Sequence, residues 1–160
     1  MNGKSLSHEE IMRLAIRMSI ENVERGGGPF AAVIALQGKI VATGVNTVAD
    51  DNDPTAHAEM NAIRAAAEKL QRFRLDDCTL YTSCEPCPMC LGAIYWAGLR
   101  ELFYSNTRED ATNYGFKDEH IYEEAARPLN RRQIKSVRIL GEEAIEAFRL
   151  WDQKPDKTLY

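Results

Sequence analysis

His57-Ala58-Glu59 and, thirty positions beyond the histidine, Pro86-Cys87-Pro88-Met89-Cys90 decide how this chain is read. One imidazole and two thiols supply three soft ligands, a set that suits a tetrahedral zinc ion. Three protein ligands leave a fourth position open, and an open position marks a catalytic site. Glu59 adds a carboxylate two residues from the first ligand, where it can move protons to and from water. Cys87 and Cys90 are three apart, so on a helix they share a face. His57 opens a different helix, so the ion would pin two helix N-termini together. Such ends carry partial positive charge and unpaired N–H groups, which favour thiolates. Two other readings stay open. Cys84 could join the three to make a closed Cys₃His staple. Glu59 alone could be a first-turn carboxylate that merely complements the helix dipole. Cys78, on an apolar strand, reads as core.

Outward from these motifs, the remaining elements follow from local signals. Ser7 and Glu10 form a capping-box pattern. Ile11, Leu14, Ala15 and Met18 then recur on one helical face until Gly26-Gly27-Gly28 ends the element. Phe30 to Leu36 and Lys39 to Val45 are β-rich runs joined at Gln37-Gly38, a hairpin. Asn46 to Asp53 reads as a polar loop. Asp53 is read as an N-cap with Pro54 at the first helical position, opening a helix from Thr55 to Leu70. Cys78 to Thr82 is a strand. A helix runs from Pro86 or Pro88 to Gly98. Glu101 to Ser105 and Ile134 to Leu140 are further strands, with a helix from Asp118 to Arg127 between them. Glu142 to Gln153 closes the chain as an amphipathic helix burying Ile145, Phe148 and Trp151. This order predicts an α/β fold with a mixed five-stranded sheet and helices on both faces.

The chain has 160 residues, 44% apolar and 28% charged, which suits one globular domain over residues 1–160. No apolar run is long enough to span a bilayer. The N-terminus, from Met1 to Glu10, lacks the apolar core of a signal peptide. Cys84, Cys87 and Cys90 are packed into a short stretch, as for reduced thiols held by a metal in the cytoplasm. The formal charge of −4 works against an extended nucleic-acid surface. The cluster Arg131, Arg132, Lys135 and Arg138 reads as a solvated face.

The His-x-Glu and Pro-Cys-x-x-Cys pair matches the signature of zinc deaminases. The chain resembles the cytidine-deaminase-like superfamily. Within it, the chain is similar to the bacterial-type guanine deaminases through Asn52-Asp53-Pro54-Thr55-Ala56-His57-Ala58-Glu59 and the run from Leu80 to Ala97. Gly26-Gly27-Gly28-Pro29-Phe30 and the C-terminal Tyr160 carry the same likeness. The resemblance implies a three-layer α/β/α fold and conversion of guanine to xanthine and ammonia. It implies zinc on His57, Cys87 and Cys90, with Glu59 as the catalytic proton shuttle. Phe30 would stack on the purine, Asn46 and Asp118 would bond its edges, and Ala58 and Trp96 would line the pocket. It further implies a homodimer whose C-terminal segment is exchanged, so that Tyr160, at the end of the tail from Lys154, closes a site. Rival activities are deamination of another nucleobase, a nucleoside, an aminotriazine or tRNA adenosine. A non-catalytic zinc-stapled module is the rival of another class.

Overall fold

The computed structural model describes residues 5–160; the first four positions of the N-terminal stretch read above lie outside the described residues. The chain divides into two units, Met1–His120 and Ile121–Tyr160.

In the first unit, α1 (His8–Glu24) opens on a reciprocal capping box. Glu10 N donates to Ser7 Oγ at 3.2 Å and Ser7 N donates to Glu10 Oε2 at 2.8 Å, so two orphan donors are satisfied. Then β1 (Ala31–Leu36) and β2 (Lys39–Val45) form the expected hairpin. Gln37 (φ 51°) and Gly38 (φ 74°) both take the left-handed conformation that a two-residue turn matched to strand twist requires. With β3 (Thr79–Cys84) and β4 (Glu101–Asn106) the sheet order is β2-β1-β3-β4. β1 runs antiparallel to both its neighbours, whereas β3 and β4 are parallel, joined by the crossover helix α4 (Pro88–Ala97).

Alternate residues of the central strands face opposite layers. Ala32, Ile34 and Leu80 pack on Ala58, Ala62 and Ala66 of α3 (Ala58–Leu70) and on Ile94 of α4. Val33, Ala35 and Tyr81 pack on Ile11 and Ala15 of α1. The sheet is thus sandwiched between helices, which is why β1 reads as an unbroken apolar run.

Gly44 lets β2 approach α3. A Cβ there would run into Ala58 O and Ala62 N, backbone atoms that cannot rotate away. Gly44→Ala should therefore cost ~1–3 kcal/mol by overpacking. In thermal denaturation that corresponds to ~2–4 °C for each kcal/mol in a chain of this size. An unchanged melting temperature would show that β2 and α3 separate without cost.

Four expectations need correction. Among the described residues the sheet has four strands, because Ile134 to Leu140 is irregular and Ile139 is 75% exposed. Its composition is strand-like, but the second unit has no strand among the described residues to complete a ladder. That unit consists of a 3-10 turn at Leu129–Arg131 and the helix Gly141–Gln153, preceded by Glu119–Ala126, which starts in the first unit. The apolar stripe of the last helix is present, yet Phe148 stays 71% exposed and Ile145 and Trp151 are not buried. Finally, α3 starts at Ala58 and not near Thr55. Asp53 Oδ1 accepts from Thr55 N (2.8 Å) and Thr55 Oγ1 (2.7 Å), closing a local turn instead of capping the helix. The polar loop before it contains a helical turn, α2 (Val48–Asp51). No helix among the described residues is long and apolar enough to cross a membrane.

Candidate active site

The late start of α3 puts His57 at its mouth, in extended geometry (φ −69°, ψ 157°), with Asn61 N donating to His57 O at 3.0 Å. Cys87 holds the same place on α4 (φ −67°, ψ 169°), followed by Pro88 in the first turn. Two helix N-termini therefore converge. Cys87 Sγ lies 3.5 Å and Cys90 Sγ 3.6 Å from His57 Nδ1. A tetrahedral zinc with Zn–N ~2.0 Å and Zn–S ~2.3 Å needs N···S separations of about 3.6 Å, so this donor set fits the ion.

The titration of the thiols points the same way. Hydrogen bonds from Cys90 and His57 pull Cys87 down to about 4. The Cys87 thiolate, then burial, push Cys90 up, and the Cys87 partner likewise raises His57. Two thiolates side by side in a buried site repel each other. A divalent cation removes that conflict, and three such donors suit zinc.

Glu59 is buried in the first turn of α3 and 6% exposed. Burial raises its carboxyl above the ordinary range. Thr82 Oγ1 donates to Oε1 at 3.1 Å, and Cys90 Sγ donates to Oε2 at 3.4 Å. Sequence reading missed Thr82, whose only signal is a hydroxyl in an otherwise core-facing strand. Cys84 stands apart. Its Sγ faces Thr107 O at 3.6 Å, and burial pushes the thiol up to about 11. Among the described residues the ligand atoms that gather are those of His57, Cys87 and Cys90, so the four-ligand staple is not what the fold assembles.

The expected base-binding residues are placed as follows. Phe30 precedes β1 and meets Phe116 edge-on, with centroids 4.8 Å apart at 82°. Phe116 was not anticipated. It lies in the loop after α5 (Arg108–Asn113), a helix whose Thr107/Asp110 capping box was legible but unread. Asn46 follows β2, donates its N–H to Phe30 O at 3.1 Å, and accepts at Oδ1 from Val48 N at 3.3 Å. Asp118 Oδ1 is buried and lacks a hydrogen-bond partner among the described residues. Burial raises the Asp118 carboxyl, and its charge is felt at His57 and Cys84. Ala58 is buried as the first residue of α3. Trp96, on α4, is 65% exposed, and Tyr160 belongs to the second unit, where it is 76% exposed.

The chain resembles known proteins along its length. Guanine deaminase from Bacillus subtilis (strain 168) is 46% identical over 156 residues, 97% of this chain and 100% of the relative. An X-ray structure of guanine deaminase from Bacillus subtilis superposes with a TM-score of 0.94 at 46% identity, over 97% of this chain and 99% of that one. A tRNA-specific adenosine deaminase from Buchnera aphidicola subsp. Schizaphis graminum is 37% identical over 99 residues, 62% of this chain and 66% of the relative. Residues 5–106, which hold His57, Glu59, Cys87 and Cys90, match the model of the cytidine and deoxycytidylate deaminase zinc-binding region. With the ligand set assembled and that model covering well over half the chain, the protein belongs to the zinc-binding cytidine and deoxycytidylate deaminase family.

Proposed function

We propose that this protein is a zinc-dependent hydrolase that converts guanine and water to xanthine and ammonia. The observation that carries the reaction class is Glu59, a buried carboxylate in contact with one of three converging zinc ligands. Zinc at such a site supplies Lewis acidity that makes water a competent nucleophile near neutral pH. Glu59 Oε2 takes the proton that water gives up as it attacks the carbon bearing the amino group. The same carboxyl gives that proton to the adjacent ring nitrogen, then takes the proton of the hydroxyl now on the carbon and passes it to the amino group, which leaves as ammonia as the carbonyl forms. Thr82 keeps Oε1 engaged and so fixes the carboxylate plane throughout.

The preference for guanine follows from the complementary groups. Asp118 Oδ1 is a buried acceptor in need of donors, and guanine offers a ring N–H and an amino group on one edge. Phe30, held by the edge of Phe116, offers a face to a flat base. The Asn46 oxygen is taken by Val48 N, which leaves its NH₂ for an acceptor on the base. The full-length likeness to a guanine deaminase supports the same choice over the tRNA enzymes, which match 62% of the chain in the relative described above. In an ammonia-release panel of guanine, guanosine, adenine, cytosine, cytidine and ammeline, guanine should have the highest kcat/KM. Adenine should be slower by up to ~10⁴-fold, because it leaves Asp118 unpaired. Faster turnover of cytidine, or of adenosine in tRNA, would overturn the substrate while leaving the zinc chemistry intact.

The chain further works as a homodimer in the cytoplasm, with the tail from Lys154 to Tyr160 closing the partner's site. Support comes from the open apolar stripe of the last helix and the exposed aromatic end of the chain. A polar tail of this kind would otherwise fray. Deleting residues 155–160 should leave zinc content unchanged and lower kcat/KM sharply. Mixing inactive Glu59→Gln chains with inactive truncated chains should then restore part of the activity. Full activity of the truncated protein alone would refute a lid role.

A further inference from the structure

We propose that Asn22, in the last turns of α1, is a positioning residue for base recognition. This rests on the reading of Phe30 and Asn46 as residues that bind the base. Asn22 is 5% exposed, on a helix that carries none of the metal ligands. Its Nδ2 donates to Gly28 O at 2.8 Å and to Asn46 O at 2.9 Å. Gly28 O also accepts from Phe30 N (2.8 Å), and Phe30 O accepts from Asn46 N (3.1 Å). The four bonds close a ring: Asn22 to Gly28, Gly28 to Phe30, Phe30 to Asn46, and Asn46 back to Asn22. One carboxamide nitrogen thereby fixes the spacing between the stacking ring and the amide expected to meet the base edge.

The chemistry of the position is narrow. Two carbonyl oxygens converge on one atom, so that atom must carry two protons. An aspartate there would present an oxygen to both carbonyls. The chain also makes room for the amide. Gly27 N donates to Asn22 O at 2.8 Å, and a Cβ on Gly27 would collide with Asn22 Nδ2. Gly27→Ala therefore perturbs the ring without removing the asparagine.

Binding contacts shared by substrate and transition state act on KM and not on kcat. Asn22→Asp and Gly27→Ala, in the zinc-loaded full-length protein, should raise KM for guanine about tenfold with kcat within about threefold of wild type. Zinc content by elemental analysis should not change. Combining Asn22→Asp with Phe30→Leu should give less than the product of the single effects, because both act through one wall. Ile11→Val, a cavity in α1 outside the ring, is the control: it should lower the melting temperature and leave KM alone. If Asn22→Asp does not fold, Gly27→Ala alone decides. Unchanged KM in the folded variants, or the same KM rise in Ile11→Val, would overturn the positioning role. If Phe30→Leu and Asn46→Ala also leave KM unchanged, the base-wall reading falls and the inference falls with it. If those two raise KM while the Asn22 and Gly27 variants do not, the inference alone is wrong.

Discussion

Glu59→Gln is expected to keep its zinc and its fold while turnover falls by at least ~10²–10⁴-fold, the usual worth of a positioned acid–base group. The upper end is expected here, because in the proposed mechanism one carboxyl serves the water, the ring nitrogen and the leaving ammonia. Glutamine preserves shape, and its oxygen can still accept from Thr82 Oγ1, so the local packing survives. It cannot take a proton. Glutamine fills the same buried first-turn position, so the melting temperature should stay close to that of the wild type. Ammonia release, elemental zinc and thermal denaturation on one preparation check the three parts together. Near-normal turnover in a zinc-loaded Glu59→Gln protein would remove Glu59 from the mechanism.

Cys87→Ala should lose both zinc and activity. The substitution takes away the thiolate at the mouth of α4, which lies 3.5 Å from His57 Nδ1, and leaves two donors. An ion bound to the folded state alone stabilises it by mass action, so the melting temperature should fall as well. Cys84→Ser makes the contrast. That thiol faces Thr107 O, outside the ligand cluster, and a hydroxyl can still donate to the same carbonyl. Cys84→Ser should retain about one zinc per chain. Zinc loss in Cys84→Ser equal to that in Cys87→Ala would restore the four-ligand staple.

The parts of this molecule that were legible in the sequence are those set by local chemistry. A capping box, a left-handed Gln37-Gly38 turn and a proline after Cys87 each act within a few residues. They place α1, the hairpin and α4, and with them two of the three candidate metal ligands. His57 was also legible, although the expected helix start was early, since Asp53 spends its carboxylate on Thr55. What could not be read depends on partners distant in sequence. Ile134 to Leu140 has strand composition, but a strand exists only through a neighbouring backbone. The stripe of the last helix has the right period, yet period alone does not say that anything covers it. Thr82, Phe116 and Asn22 carry no motif. Thr82 matters because its hydroxyl on β3 reaches Glu59 on α3, Phe116 because its loop returns to Phe30, and Asn22 because α1 ends beside the open end of the hairpin.

The most direct test is to incubate the zinc-loaded full-length protein with guanine in ¹⁸O-labelled water. Xanthine and ammonia are then measured together by mass spectrometry and an ammonia assay. Hydrolytic deamination predicts equal amounts of the two products, with one labelled oxygen in xanthine at the carbon that carried the amino group. No xanthine from guanine, with zinc confirmed in the sample, would contradict the assignment.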